Sequence, residues 1–519
     1  MIKEVNFRNP ATWMPVAFFA GVFLIGLLMY DDYGVSCDEP LQHELGLATW
    51  DYLSGKNTNL LSNGNLYLNP FIGLLEVLPE KILQLKTESD IYLSRHLLNF
   101  IFCWVGFIFF YLLALRLLRD YRFALLSCLL FLLTPRPIAH CFYNSKDLPF
   151  LFLFVVNVYL LVAWIEAPSR SKIIWMVICS GMLVGTRVAG LLFPVVLVSA
   201  AIFSTMAGKF KWKEMKLLAL YLLLFPVSVY IFFPTFWHNP VAEFLTAVAV
   251  MSRHPYDVTS FFLGETVHSL QTPWYYIPVW MGIIIPIGWW IFFFAGLITL
   301  AMSIIRERFA FPVYWVVILT WLLLPLLTAI ILHSSTYDDG RHLFFIYPPF
   351  LLIVTAGFRE LIQSGSGIFK RFRVYTAVLV FVVTVVYLSV FMVKYHPFQY
   401  AYFNAIGRHY ATGYFEKDYW GLSYRQGLEY LVKYDKSDQL KIAWKVDPGE
   451  WNLIWLKEED RKRIQAVRYE ECEYYLTNFR SHAPQAASDE MIYEVKVQGT
   501  TILAVFKMHP PNAKVEPKP

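Results

Sequence analysis

Four carboxylates, Asp31, Asp32, Asp38 and Glu39, fall within nine positions, directly after the apolar run LIGLLMY. Such a cluster reads as a solvated loop, a helix cap or the working groups of an enzyme. Two further polar stretches carry complementary chemistry. "TPRPIAHCFYNSKDLPF" offers Arg136, His140, Asn144, Lys146 and Asp147. "HSSTYDDGRHLFFIYPP" offers His333, Asp338, Asp339, Arg341 and His342. His43 follows the first cluster, and Arg95 and His96 open a later apolar segment. Carboxylates and histidines move protons. Fixed arginines and lysines hold anions. Arg187, in "GTRVAG" between two apolar segments, either binds a charged group or snorkels to the surface.

Each element also has a plainer reading. "SCDE" fits a capping box with Ser36 as N-cap and Glu39 three residues on. Pro40 suits a first helical turn. The box does not use the Asp38 side chain. Asp31 and Asp32 suit the interface where an apolar segment ends. Asp147 can cap a helix start, with Lys146 reaching for headgroups.

The elements that must position these groups are apolar. Of 519 residues, 57% are hydrophobic, 18% aromatic and only 16% charged. Soluble domains carry about 25% charged residues, so the chain reads as a polytopic membrane protein. A net charge of +5 is too small to argue for a nucleic-acid partner. Six scattered cysteines, with no CxxC pair, suggest neither a zinc site nor a disulfide framework. The basic start MIKEVNFRNP lacks a small-x-small cleavage signal after its apolar stretch, which reads as an anchor helix.

A spanning helix needs about 20 mainly apolar residues. Eleven candidates occur, at 13–30, 92–115, 122–138, 148–165, 172–187, 189–207, 217–235, 277–303, 311–332, 342–358 and 374–394. With the N-terminus inside, the basic groups fall on the cytoplasmic side. They are Lys3 and Arg8; Arg116, Arg119 and Arg122; Arg170 and Lys172; Lys209 to Lys216; Arg306 and Arg308; and Arg359 to Arg373. The expectation is N-in and C-out. The outer side then receives 31–91, 136–147, 236–276 and 333–341, so carboxylates, cations and histidines gather at one membrane face. That asymmetry argues for an outward-facing active site.

From about 395 the chain becomes charged. "SYRQGLEYLVKY" reads as an amphipathic helix. "LKIAWKV", "CEYYLTNF", "MIYEVKV" and "TILAVFKM" read as strands, the last two joined by a Gln-Gly turn. The expected organisation is a membrane domain at 1–394, a small soluble α/β extracytoplasmic domain at 395–508, and a disordered tail at 509–519.

These residues resemble the GT-C fold membrane glycosyltransferases, in particular the protein O-mannosyltransferases and the lipid A aminoarabinose transferases. The resemblance covers residues 10–395. It rests on the Asp38-Glu39 pair after the first span, Arg95 opening the second, and the K-D-x-P stretch from Lys146 to Pro149. It rests also on "RHLFFIYPP" from Arg341 and on "TPWYYIPVW" from Thr272. The stretch "HPFQYAYFNAIG…YFEKDYWG", His396 to Gly421, is similar to a segment in a subset of bacterial members. It departs from the mannosyltransferases proper, and this leaves the acceptor open.

The resemblance implies an all-α polytopic membrane protein with a small C-terminal domain. It implies transfer of a sugar, with inversion, from a polyprenyl-phosphate donor to an acceptor hydroxyl or amine at the periplasmic face of the inner membrane. On that basis Asp38 is the expected general base, with Glu39 orienting it or the acceptor. Arg341, Arg95 and Lys146 are the expected phosphate ligands, Arg187 a fourth, and Asp147 marks the second acidic loop. A monophosphate leaving group requires no metal. Some relatives do bind a divalent ion, to which His43, Asp147, His333 and Asp338 could contribute, without tight metal-ligand spacing. The expected partners are the lipid-linked donor, the bilayer and an acceptor the sequence does not name. Two other classes stay open: a transporter or flippase of a lipid-linked or small polar substrate, and a non-catalytic membrane scaffold. A transporter favours inverted repeats and mid-membrane charges, and neither is apparent.

Overall fold

The computed structural model describes residues 9–252, 257–480 and 490–508. Lys3, Arg8 and the tail 509–519 lie outside the described residues. Nine helices among those described are long and apolar enough to cross a membrane. They are Pro10–Met29, Glu88–Leu118, Asp147–Glu166, Val188–Met206, Trp212–Phe232, Ile287–Glu307, Val313–Ile331, Asp338–Gln363 and Gly367–Lys394. The chain is thus a helical polytopic membrane protein with a small C-terminal domain that contains a β-sheet.

Two sites account for the difference from eleven. The expected span 122–138 is two helices, Tyr121–Leu132 and Pro135–Tyr143, bent by 74°. Counted as one, they make a tenth span. Pro135 lacks the backbone N–H that would continue the first helix. The expected span 172–187 is the 17-residue helix Arg170–Thr186. At 1.5 Å per residue it reaches about 25 Å, short of the roughly 30 Å hydrocarbon core.

Helix Asp147–Glu166 sits at the centre, packed between Glu88–Leu118 and Arg170–Thr186, and is buried along most of its length. Its sequence DLPFLFLFVVNVYLLVAWIE is apolar all round, as a helix surrounded by other helices must be. Ile287–Glu307 crosses Asp338–Gln363 where Gly296 meets Gly357. A Cβ at Gly357 would collide with the Phe292 carbonyl, so the close crossing depends on small residues. The N-terminal end of that second helix is irregular. Asp338, Asp339 and Gly340 all have positive φ, at 48°, 58° and 74°. The left-handed turn sends the two adjacent carboxylates to different arginines, Asp338 toward Arg480 and Arg341 and Asp339 toward Arg136.

The segment 236–276 contributes a hairpin, β1 (Thr259–Phe262) and β2 (Glu265–His268). Five further strands form the C-terminal sheet: β3 (Leu440–Trp444), β4 (Ile464–Ala466), β5 (Tyr474–Thr477), β6 (Glu490–Val497) and β7 (Thr500–Lys507). Their order is β4-β3-β5-β7-β6. β3 runs parallel to β4 and β5, whereas β7 runs antiparallel to β5 and β6. Gln498 and Gly499 join β6 to β7 with φ of 53° and 86°, the pattern of a type I′ hairpin. Helix Tyr424–Tyr434 packs on β5, β6 and β7. The chain leaving the last span does not stay at the surface: residues 399–404 and 415–424 are buried. Asn404 donates to the carbonyls of Gly282 (2.6 Å) and Ile285 (2.8 Å), tying this segment to the helical bundle.

Candidate active site

Asp38 precedes helix Glu39–Leu53 as its N-cap, but its side chain makes no capping hydrogen bond. The Asp38 carboxylate turns instead toward two cations. Its Oδ2 accepts from Arg341 Nη1 at 2.9 Å and from Lys146 Nζ at 3.1 Å. Arg341 Nη1 also donates to Asp147 Oδ2 at 3.1 Å. Arg187 donates to the other oxygen of Asp147. Four separated segments therefore meet in one chain of charges, Lys146–Asp38–Arg341–Asp147–Arg187. Asn144 fixes the second acidic loop, because its Oδ1 accepts the Asp147 backbone N–H at 2.8 Å while its Nδ2 donates to Asp147 Oδ2 at 3.0 Å.

This chain borders a cavity of about 350 Å³, lined by Asp38, Lys146, Arg187, Asn69, Ser335 and His342 among others. The Asp38 side chain keeps 26% of its exposure, whereas Arg341 keeps 1%. Burial alone would raise the Asp38 pKa. The charges of Arg341 and Lys146, and their hydrogen bonds, overcome it and hold the carboxyl well below the usual carboxylate range. Burial pulls the Lys146 ammonium below its ordinary value, and Asp38 partly offsets that.

The C-terminal region completes the surroundings of Arg341. The Trp420 ring lies 4.4 Å from its guanidinium carbon, and Trp420 Nε1 donates to His140 Nε2 at 3.2 Å. Arg480 Nη2 donates to Asp338 Oδ1 at 3.1 Å, while Asp338 Oδ2 lies 3.5 Å from Arg341 Nη2. Arg480 also pairs with Glu416 at 3.4 Å. Burial pushes the Glu416 carboxyl up to about 8 against the pull of Arg480. Arg136 pairs with Asp339 at 2.7 Å, both side chains fully buried.

Other expected site residues stand elsewhere. Glu39 points away from Asp38. Its Oε2 accepts the Ser36 backbone N–H at 2.7 Å and its Oε1 lies 2.8 Å from His96 Nε2. Only half of the expected capping box is present, since Ser36 Oγ has no partner and the helix starts at Glu39 rather than at Cys37. Arg95 does not line the cavity. It pairs with Glu76 at 2.6 Å, both 2% exposed, because its position on helix Glu88–Leu118 faces helix Pro70–Leu83. His43 pairs with Glu80 at 2.6 Å. His333 is exposed and borders a different recess, with Thr272 and Trp274. Asp31 and Asp32 hold the C-terminal region. Arg425 donates to the Asp31 carbonyl at 2.5 Å and His396 Nε2 lies 2.7 Å from Asp32 Oδ2.

The metal candidates His43, Asp147, His333 and Asp338 thus have four different surroundings. Among the described residues no group of three or more His, Cys, Asp or Glu is placed to hold a metal ion. Asn69, Ser335, Trp420 and Arg480 were not legible as site residues. Trp420 alone had a local signal, as the aromatic end of "YFEKDYWG".

Residues 55–239 match the family model described as dolichyl-phosphate-mannose-protein mannosyltransferase, which is well under half of the chain. No curated protein matches. Among solved structures, ArnT from Cupriavidus metallidurans in the apo state matches over 96% of this chain and 98% of its own, at 14% identity and a TM-score of 0.51. The archaeal oligosaccharyltransferase AglB from Archaeoglobus fulgidus, in complex with an inhibitory peptide and a dolichol-phosphate, matches over 90% of this chain and 70% of its own. Its identity is 11% and its TM-score 0.46. The chain shares a GT-C-like polytopic membrane fold with ArnT, over nearly the full length of both.

Proposed function

We propose that the protein is an integral-membrane glycosyltransferase that moves a sugar from a polyprenyl-phosphate donor to an extracytoplasmic acceptor hydroxyl or amine. The single observation that carries this reading is the partly exposed Asp38 carboxylate lining a cavity, clamped by Arg341 and Lys146 with Arg187 close by. The distribution of basic residues supports an N-in, C-out chain of about eleven membrane segments. On that orientation the cavity opens at the periplasmic side of a bacterial inner membrane.

The reaction breaks the bond between the anomeric carbon and the phosphate oxygen. The acceptor oxygen or nitrogen attacks from the opposite face, so the configuration inverts. Its proton passes to Asp38, and the electron pair leaves on the polyprenyl phosphate. Arg341, Lys146 and Arg187 stabilise that charge, the arginines through their planar forks. The polyprenyl tail stays in the bilayer.

The shared cations give the base a gate. While Arg341 and Lys146 hold Asp38, it is a weak base. A donor phosphate that draws them away raises its affinity for a proton, so activation of the acceptor follows donor binding. Glu39 takes a different role from Asp38. It fixes the helix start through the Ser36 N–H and His96, and so fixes where Asp38 points. Arg95 braces Glu76 rather than the donor.

Donor turnover tests this reading. The purified protein in lipid nanodiscs, given a polyprenyl-phosphate hexose and a range of hydroxyl acceptors, is expected to release polyprenyl phosphate. A protein that neither binds polyprenyl phosphate nor turns over any such donor contradicts it.

A further inference from the structure

The segment that carries Asp38 is held by the other end of the chain. Residues 31–37 join the first span to helix Glu39–Leu53, and Tyr33, Val35 and Ser36 are buried there. Buried backbone N–H and C=O groups need partners. Those of this segment find them in the C-terminal region. Arg425 Nη1 donates to the Tyr33 carbonyl at 3.0 Å as well as to that of Asp31. The Val35 N–H donates to Asn452 Oδ1 at 2.9 Å, and Asn452 Nδ2 donates back to the Val35 carbonyl at 3.0 Å. The Cys37 N–H donates to the Trp420 carbonyl at 3.1 Å. Residues 33, 35 and 37 thus face one way, with the period of an extended chain. Ser36, between them, turns its N–H to Glu39 instead.

Asn452 is the centre of this clasp. It is fully buried. Chemistry fixes the orientation of its amide: the Val35 N–H needs an acceptor, while the Val35 and Pro448 carbonyls, at 3.0 and 2.7 Å, need donors. The Pro448 bond ties the side chain to its own turn, so it meets Val35 already oriented. One side chain therefore holds both backbone groups of Val35, three residues before Asp38. Gly34 leaves room for it, since a Cβ there would lie 2.5 Å from Asn452 Oδ1 and from the Leu422 carbonyl. The last bond of the clasp is at Cys37, directly before Asp38. The Asp38 side chain makes no capping bond of its own, so its direction follows from how the flanking backbone is held.

We propose that the C-terminal region positions the base, with Asn452 as the positioning residue that holds the Asp38 carboxylate at the cavity. The inference rests on Asp38 being the base, as given under Proposed function. Asn452 touches no reacting atom and acts only through where Asp38 lies. Loosening the clasp lets Asp38 leave the line of attack, while Arg341, Lys146 and Arg187 still hold a phosphate. A shift of about 1 Å in a catalytic group costs about 10²-fold in rate.

A double-mutant cycle in the full-length protein, in nanodiscs, tests it. Single-turnover release of polyprenyl phosphate from a polyprenyl-phosphate hexose, and the dissociation constant of polyprenyl phosphate, are measured for wild type, Asn452→Ala, Asp38→Asn and the double variant. Asn452→Ala is expected to slow turnover about 10²-fold. Its affinity for polyprenyl phosphate should stay within about threefold of wild type, a loss confined to the transition state. In the Asp38→Asn background the same change should cost less than about twofold, because the group it positions is gone. Arg425→Met, at a side chain 20% exposed, keeps the Asn452 bonds and should lose about fivefold, again only while Asp38 is present. If Asn452→Ala does not fold, the Arg425→Met cycle decides. Variants that turn over at the wild-type rate, or that slow Asp38→Asn as much as they slow wild type, overturn the inference and leave the base reading standing. Wild type that turns over no donor, or Asp38→Asn that keeps the wild-type rate, overturns the reading under Proposed function instead.

Discussion

Asp38 and Glu39 are neighbours in sequence and opposites in surroundings. The Asp38 side chain is 26% exposed and lines a cavity together with Lys146, one of its two cations. The Glu39 side chain is 2% exposed and sealed against His96 and the Ser36 N–H. Beside it lies a second sealed pair, Arg95 with Glu76. The sealed groups join three helices, Glu39–Leu53, Pro70–Leu83 and Glu88–Leu118. None of these four groups lines the Asp38 cavity, so they brace. The open cluster ties together loops from four parts of the chain and keeps one carboxylate within reach of a ligand. Buried charge alone does not mark an active site. Charge beside a cavity, with partners a ligand can replace, does.

The difference can be broken from either side. The largest effect is expected at Asp38. Asp38→Asn should lower kcat of the folded protein by about 10²–10⁴-fold, the range for a general base, beside the stability lost with its ion pairs to Arg341 and Lys146. Glu39→Gln should lower the melting temperature alone, with kcat of the folded protein within about tenfold. Equal losses of activity in both variants would erase the distinction.

Next in size is the sealed pair. Arg95→Leu leaves Glu76 buried without its partner, which costs about 3–5 kcal/mol. It should not change the affinity of the folded protein for polyprenyl phosphate. Calorimetric unfolding and equilibrium binding measure the two separately. Loss of phosphate affinity without loss of stability would return Arg95 to the donor site.

The pair also has a pH signature. Burial pushes the Glu76 carboxyl up to about 7, against Arg95. The folded state then keeps a proton that the unfolded state releases, so stability falls as pH rises from about 4.5 to 7. The fall is about 3 kcal/mol on a shift of this size. Glu76→Gln should flatten it. Asp38 has the opposite sign. Its carboxyl is held below the usual range, so its contribution is present above the unfolded carboxylate pKa and is lost only as pH falls below it. A melting-temperature series across pH for wild type and Glu76→Gln reads the difference.

Smaller effects are expected at the back of the site. Trp420→Ala removes the ring stacked on Arg341 and should cost about 1–2 kcal/mol in kcat/KM. Trp420→Phe keeps a ring and loses only the N–H to His140, so it should recover most of that. His333→Ala, exposed and on a separate recess, should change kcat/KM less than about twofold.

Much of the helical architecture was legible from apolar length. Four of the five strands of the C-terminal sheet followed from alternation, and the Gln-Gly turn from its composition; β4, only three residues long, did not. Two of the eleven segments differ in form from a single long helix, one by a bend at Pro135 and one by a length of 17 residues. In the site, Asp38, Lys146, Asp147, Arg187 and Arg341 were candidates by type and by their common membrane face, and they do meet. The direction of Asp38 against Glu39 was not legible, because adjacent residues at a helix start diverge by a geometry that no residue type encodes. Arg95 sits on the same membrane face as the site residues but on a helix surface turned toward Glu76. Trp420 and Arg480 lie far from Arg341 in sequence, and no local period links them to it.

The most direct measurement pairs binding with one turnover of Asp38→Asn. Removing the carboxylate frees Arg341 and Lys146 for the phosphate while removing the base. The account predicts that this variant binds polyprenyl phosphate as tightly as wild type or more tightly, and transfers sugar about 10²–10⁴-fold more slowly in a single-turnover assay. A variant that transfers sugar at the wild-type rate would contradict the claim that Asp38 is the base.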